Sequence, residues 1–156
     1  ADGHRKNENN LGYSEIMCLD FDDGMTLVEA EKKFKNIKSL VVTTRSHRKN
    51  GNGDRFRVFM KLKTQLNIPP DDFKDFMSAL FDHIGYVDPA TKDMARFFFA
   101  SPKDAFYWYS GSDREFDWQP VYQKVKKEKV FNRINGRRVR TYDRRNTQTR
   151  QDNTLP

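Results

Sequence analysis

Two aspartates one residue apart close an apolar run, Ile16-Met17-Cys18-Leu19-Asp20-Phe21-Asp22, which leads into Asp23-Gly24. Side chains alternate along an extended strand, so Asp20 and Asp22 share one face while Leu19 and Phe21 take the other. Like charges side by side on a sheet repel by a few tenths to about 1 kcal/mol. A divalent cation between them turns that repulsion into binding, and hard oxygen donors suit Mg2+ or Mn2+. The competing reading of the same residues is a strand end, with Asp23-Gly24 as the turn.

A sheet and its helices must hold that face in place. After Gly24, Thr26 and Glu29 have capping-box spacing, which starts a helix. Leu27, Ala30, Phe34 and Ile37 give the helix one apolar stripe. Ser39 to Thr44 is β-branched and apolar, a strand, and the Asn-Gly steps in Asn50-Gly51-Asn52-Gly53 mark a turn between strands. From Arg55 to Leu62 the alternation is strict. Phe56, Val58, Met60 and Leu62 form one face, and Arg55, Arg57, Phe59 and Lys61 form the other. The pattern predicts an antiparallel pair whose cationic face looks at the first strand's carboxylates.

Pro69-Pro70-Asp71-Asp72 opens a second helix. Phe73, Phe76, Met77, Leu80 and Ile84 are its buried stripe, and Gly85 ends it. Tyr86-Val87-Asp88-Pro89 reads as a very short strand, the phenylalanine run from Phe97 as an interior strand, and Phe106 to Tyr109 as one more. A short helix is expected near Pro120 to Phe131. This order predicts an α+β fold: one mixed sheet with helices on one face, RRM-like or ferredoxin-like. The uncovered face would carry Asp20, Asp22, Arg57, Lys61 and Asp88.

A chain of 156 residues is one domain by length and buries a core without staples. The lone Cys18 forms no internal disulfide, which suits packing in a reducing compartment. No apolar run is long enough for a membrane span or signal peptide, so the expectation is a soluble, cytoplasmic protein. The net charge of +7 is concentrated at one end. Val121 to Pro156 holds 11 Lys or Arg against 3 Asp or Glu, and the first 120 residues hold 18 against 19. The expected division is therefore a catalytic core over 1–120 and a basic, partly helical tail over 121–156. Such a tail either contacts nucleic acid through phosphates or is a solvated end. Residues 1–13 are polar and without period, and a strong strand so near the start predicts a natural N-terminus further upstream.

Carboxylates from two strands, with cations opposite, are what two-metal nucleotidyl transfer needs. Leu19-Asp20-Phe21-Asp22, then Thr43-Thr44-Arg45-Ser46-His47, then Val87-Asp88 followed by Arg96 and Phe98-Phe99-Ala100-Ser101-Pro102, resemble the archaeo-eukaryotic primase superfamily, the primase-polymerases. Those of phages and plasmids look nearest, and the likeness spans about residues 16–102. The resemblance implies that Asp20 and Asp22 are first-motif metal ligands, that His47 contacts nucleotide phosphates, and that Asp88 is the third ligand, with Asp93 as its competitor. Arg45 stands where the family has a small residue, with Ser46 adjoining His47. The family's N-terminal αβ unit is missing or cut short. Neither a helicase P-loop nor a zinc-binding cysteine set is present, so a helicase partner would be a separate chain or segment.

Arg57 and Lys61 are either phosphate ligands or solvent-facing strand residues. Arg96 either contacts nucleic acid or pairs with Asp93 or Asp88. Tyr107, with Trp108 and Tyr109, would stack on template bases if exposed and join the core if not. Lys126, Lys127, Arg137 and Arg138 are the tail's candidate phosphate contacts. The expected activity is template-dependent primer synthesis or extension on single-stranded DNA, with nucleoside triphosphates and two Mg2+ or Mn2+ ions. Two rival readings remain. Asp20-Phe21-Asp22-Asp23-Gly24 also resembles the opening motif of haloacid dehalogenase phosphatases, and an RRM-like domain can bind single strands without catalysis.

Overall fold

The computed structural model describes residues 14–85 and 100–134. The expectations for Asp88, Asp93, Arg96, Arg137 and Arg138, and for the strands at 86–89 and from Phe97, lie outside the described residues. The chain runs β1 (Ser14–Phe21), α1 (Leu27–Phe34), β2 (Ser39–Thr43), β3 (Phe56–Leu66), α2 (Pro70–Ile84), β4 (Tyr107–Tyr109) and α3 (Gln119–Ile134). The fold is α+β, a four-stranded open sheet in the order β1-β3-β2-β4 with three helices. A mixed sheet was the expectation, yet every pairing between the described strands is antiparallel. The reason is topological. β3 inserts between β1 and β2, and β2 between β3 and β4, so strands that run the same way never pair.

The alternation read from the sequence sets the two faces. Leu19, Phe21, Val41, Phe56, Val58 and Met60 are fully buried on one side. Phe21 stacks on Phe56, with ring centroids 5.0 Å apart, and meets Phe34 of α1 edge-on at 6.2 Å. Each such aromatic pair adds about 0.5–1.5 kcal/mol beyond its buried area. β1 is thereby fixed in the register that turns Asp20 and Asp22 away from the core. The capping box at α1 forms as expected. Thr26 Oγ1 accepts from the Glu29 N–H, and the Thr26 N–H donates to the Glu29 carboxylate.

α2 buries Phe73, Phe76, Met77, Leu80 and Ile84, with Phe81 in addition, and ends at Gly85, whose φ of 90° favours glycine. Tyr122 and Val125, within the stretch expected as a tail over 121–156, pack with the core. Trp118, Tyr122 and Val125 are buried, and the rings of Trp118 and Tyr122 both meet Phe76 edge-on. A polar clamp joins α3 to α2. Lys129 Nζ lies 2.6 Å from Asp72 and 2.8 Å from Asp75, and the Tyr122 hydroxyl donates to Asp72 at 2.6 Å. Lys129 and the Tyr122 hydroxyl hold the Asp72 carboxyl below the usual carboxylate range, while burial and Asp72 push the Tyr122 phenol up to about 12. Among the described residues no helix is long and apolar enough to cross a membrane.

Candidate active site

Asp20 lies directly across from Arg57 in the β1–β3 ladder, and their side chains meet on the open face with Arg57 Nε 3.3 Å from Asp20 Oδ1. Both are largely buried, at 5% and 12% side-chain exposure. Burying two charges is costly, so such a pair holds its geometry chiefly because losing one partner costs more still. Asp22, just past the end of β1, is more open at 46% and lies 3.9 Å from Arg55. The two carboxylates therefore differ: Asp20 is part of the sheet's fabric, and Asp22 faces solvent.

Both aspartates line a cavity of about 830 Å3, within the range of small-molecule sites. The loop between β2 and β3 contributes Arg45, Ser46, Lys49 and Arg55 to the lining, and β3 contributes Arg57. Four cations thus face two carboxylates, an excess that suits a polyanionic ligand. Arg55 Nε is buried with no hydrogen-bond partner among the described residues. A buried donor of this kind calls for a water or ligand oxygen.

The loop curls back through three left-handed residues, Arg48 at φ 51°, Asn50 at φ 54° and Gly51 at φ 79°. One aspartate ties it to the rest of the fold. Asp54 accepts from the Leu27 N–H at the start of α1 (2.8 Å) and from Arg48 Nε (2.6 Å). Arg48 is the main reason its carboxyl sits below the ordinary range.

The positions expected from the sequence divide. Asp20, Asp22, Arg45, Ser46 and Arg57 come together in the cavity. His47 lies in the same loop but is not among the lining residues. The Arg55 N–H donates to its Nδ1 at 3.0 Å, which leaves the neutral ring's proton on Nε2. Lys61 is further along β3, 2.7 Å from Glu15. Tyr107 is on β4, 71% exposed, and Lys126 and Lys127 are exposed on α3, where Lys126 Nζ sits 5.1 Å from the centre of the Tyr122 ring. Sequence reasoning put Arg55 on the cationic face that looks at the carboxylates without naming it as a phosphate ligand, and passed over Lys49 and Asp54. The cluster of charges around the Asn-Gly turn was the available signal.

For a divalent cation, the described residues offer two carboxylates and no group of three ligating side chains. The donor chemistry fits a hard ion, and the third carboxylate expected from the sequence lies outside the described residues. Comparison with protein-family models, with curated proteins and with solved structures found no match.

Proposed function

We propose that this chain is the catalytic core of a template-dependent nucleotidyltransferase of the primase-polymerase kind, built on an RRM-like sheet. It extends a primer strand, or begins one, on single-stranded DNA. The split arrangement of β1, α1 and β2 around β3 supports the RRM-like reading. The observation that carries the functional reading is a single cavity, in which Asp20 and Asp22 oppose Arg45, Lys49, Arg55 and Arg57.

In this reading the loop cations bind and orient the triphosphate, and the unpartnered Arg55 Nε donates to one of its oxygens. Arg57 fixes the Asp20 carboxylate so that its lone pairs point in one direction. Asp20 and Asp22 hold Mg2+ or Mn2+, which when bound would supply charge neutralisation at the phosphates and an acidified 3′ hydroxyl. His47 lies outside the cavity lining and braces the cation-bearing loop by accepting from the Arg55 N–H at Nδ1. No protein nucleophile is needed, because the primer's hydroxyl attacks.

Titration calorimetry of a nucleoside triphosphate with Mn2+, repeated in EDTA, tests the reading. Binding that needs the metal and falls at least tenfold in Arg45→Ala/Lys49→Ala supports it. Binding indifferent to both changes removes the cavity from consideration.

A further inference from the structure

The loop between β2 and β3 brings Arg45, Lys49 and Arg55 to the cavity, yet the side chain that fixes the loop's place is not in the lining. Within the loop the backbone closes on itself. The Arg48 N–H donates to the Gly53 carbonyl at 3.0 Å, and the Asn52 side chain donates to the Ser46 carbonyl at 3.3 Å. At the base Arg55 is held on both sides, its carbonyl accepting from the Thr44 N–H at 3.0 Å and its own N–H donating to His47 Nδ1 at 3.0 Å. Asp54 ties this braced unit to a helix. Its side chain is 8% exposed, with one carboxylate oxygen accepting from the Leu27 N–H, an orphan donor in the first turn of α1, and the other from Arg48 Nε. α1 is in turn seated on the core by Ala30 and by Phe34 against Phe21. A path of fixed contacts therefore runs from the core through α1 and Asp54 to Arg55, the next residue in the chain, whose Nε is buried without a hydrogen-bond partner among the described residues.

We infer that Asp54 is a positioning residue: it holds the loop where Arg55 and Lys49 line the cavity, and so sets the affinity for the triphosphate without touching it. The inference deepens the nucleotidyl-transfer reading and rests on it for the identity of the anion. Charge alone argues the other way. Removing Asp54 takes a carboxylate out of a cation-rich loop and releases Arg48 from its ion pair, and both changes favour a polyanion by Coulomb's law. Positioning opposes this, because a loop that is in place only part of the time binds more weakly in proportion to that fraction. The two effects have opposite signs, so affinity alone separates them. Leu27 and Arg48 also divide the tether into two legs, a neutral donor on the helix and a cation within the loop, which a conservative substitution can cut one at a time.

The test pairs calorimetry of a nucleoside triphosphate with Mn2+, on the full chain, with trypsin cleavage after Lys49 followed by mass spectrometry. Asp54→Ala should bind about tenfold more weakly, as for a loop in place about a tenth of the time, and should be cut faster, because cleavage tracks the open population. Asp54→Asn keeps an acceptor for the Leu27 N–H and loses the ionic leg to Arg48, so it should bind only about threefold more weakly. Thr26→Ala removes a cap from the same turn of α1 without reaching the loop, and should bind as the parent does. Parent-like or tighter binding by both Asp54 variants overturns the inference, whatever the cleavage rate. So does weaker binding with cleavage unchanged, or an equal loss of affinity in Thr26→Ala, which would make the effect one of helix stability. A parent protein that binds no triphosphate strikes the nucleotidyl-transfer reading itself, and the inference with it.

Discussion

Replacing Asp20 removes more than a candidate metal ligand. Its carboxylate is 5% exposed and serves as counter-charge to Arg57, itself 12% exposed. Breaking a buried pair from one side costs about 3–5 kcal/mol, against a total stability of about 5–15 kcal/mol. Asp20→Ala should therefore lose about 3 kcal/mol and, for a chain of this length, roughly 10 °C in melting temperature. Asp20→Leu/Arg57→Met removes both charges and keeps apolar volume, so it should recover most of that loss. Urea unfolding followed by fluorescence of Trp108 and Trp118 gives the double-mutant cycle, with an expected coupling of about 2–3 kcal/mol. Asp22→Ala, at a half-open site whose cation is 3.9 Å away, should change stability by less than about 1 kcal/mol. An Asp20→Ala protein as stable as the parent, or a cycle that is simply additive, would refute the buried-pair reasoning. The practical consequence is that Asp22 is the clean probe of chemistry.

Other outcomes follow from the clamps and caps. The Asp72 and Asp54 carboxyls are held below the ordinary range, so their stabilising contributions are full above the unfolded-state value and vanish as pH falls through the folded one. Asp72→Asn should accordingly flatten the acid limb of a pH–stability curve below about pH 4. Tyr122, raised to about 12, acts in the opposite range. Its contribution is full below about pH 10 and is lost as pH climbs toward its folded value, and absorbance titration should resolve one late-ionising phenol that Tyr122→Phe abolishes. Thr26→Ala breaks the capping box and should cost about 1 kcal/mol in urea unfolding, with triphosphate affinity unchanged.

Local pattern carried much of the fold. The strict alternation from Phe56 to Leu62 places the core face of β3, and Thr26 with Glu29 marks the start of α1. That Arg57 and Asp20 share one face was legible from the two alternations, and their direct pairing across β1 and β3 was not. Nor was the pair's burial, because burial depends on cross-strand neighbours that a single strand's pattern does not name. Tyr107-Trp108-Tyr109 alternates whichever face is turned inward, and only pairing with β2 sets Trp108 inside. α3 was the hardest to read. It buries only Tyr122 and Val125, leaves Val130 and Ile134 exposed, and gains much of its hold from Lys129 and Asp72, a polar contact that apolar periodicity does not register. Asp54 reaches Leu27 across 27 positions, a link no local spacing reveals.

The account turns on whether the cavity performs metal-dependent nucleotidyl transfer. Incorporation of labelled nucleotide on a primed single-stranded DNA template, with Mg2+, Mn2+ or EDTA, measures this directly for the parent and Asp22→Ala. Extension by the parent that EDTA abolishes, together with a loss of at least a hundredfold in a folded Asp22→Ala protein, is the expected result. Extension undiminished in Asp22→Ala, or none by a parent protein that binds the template equally well without metal, would contradict the assignment.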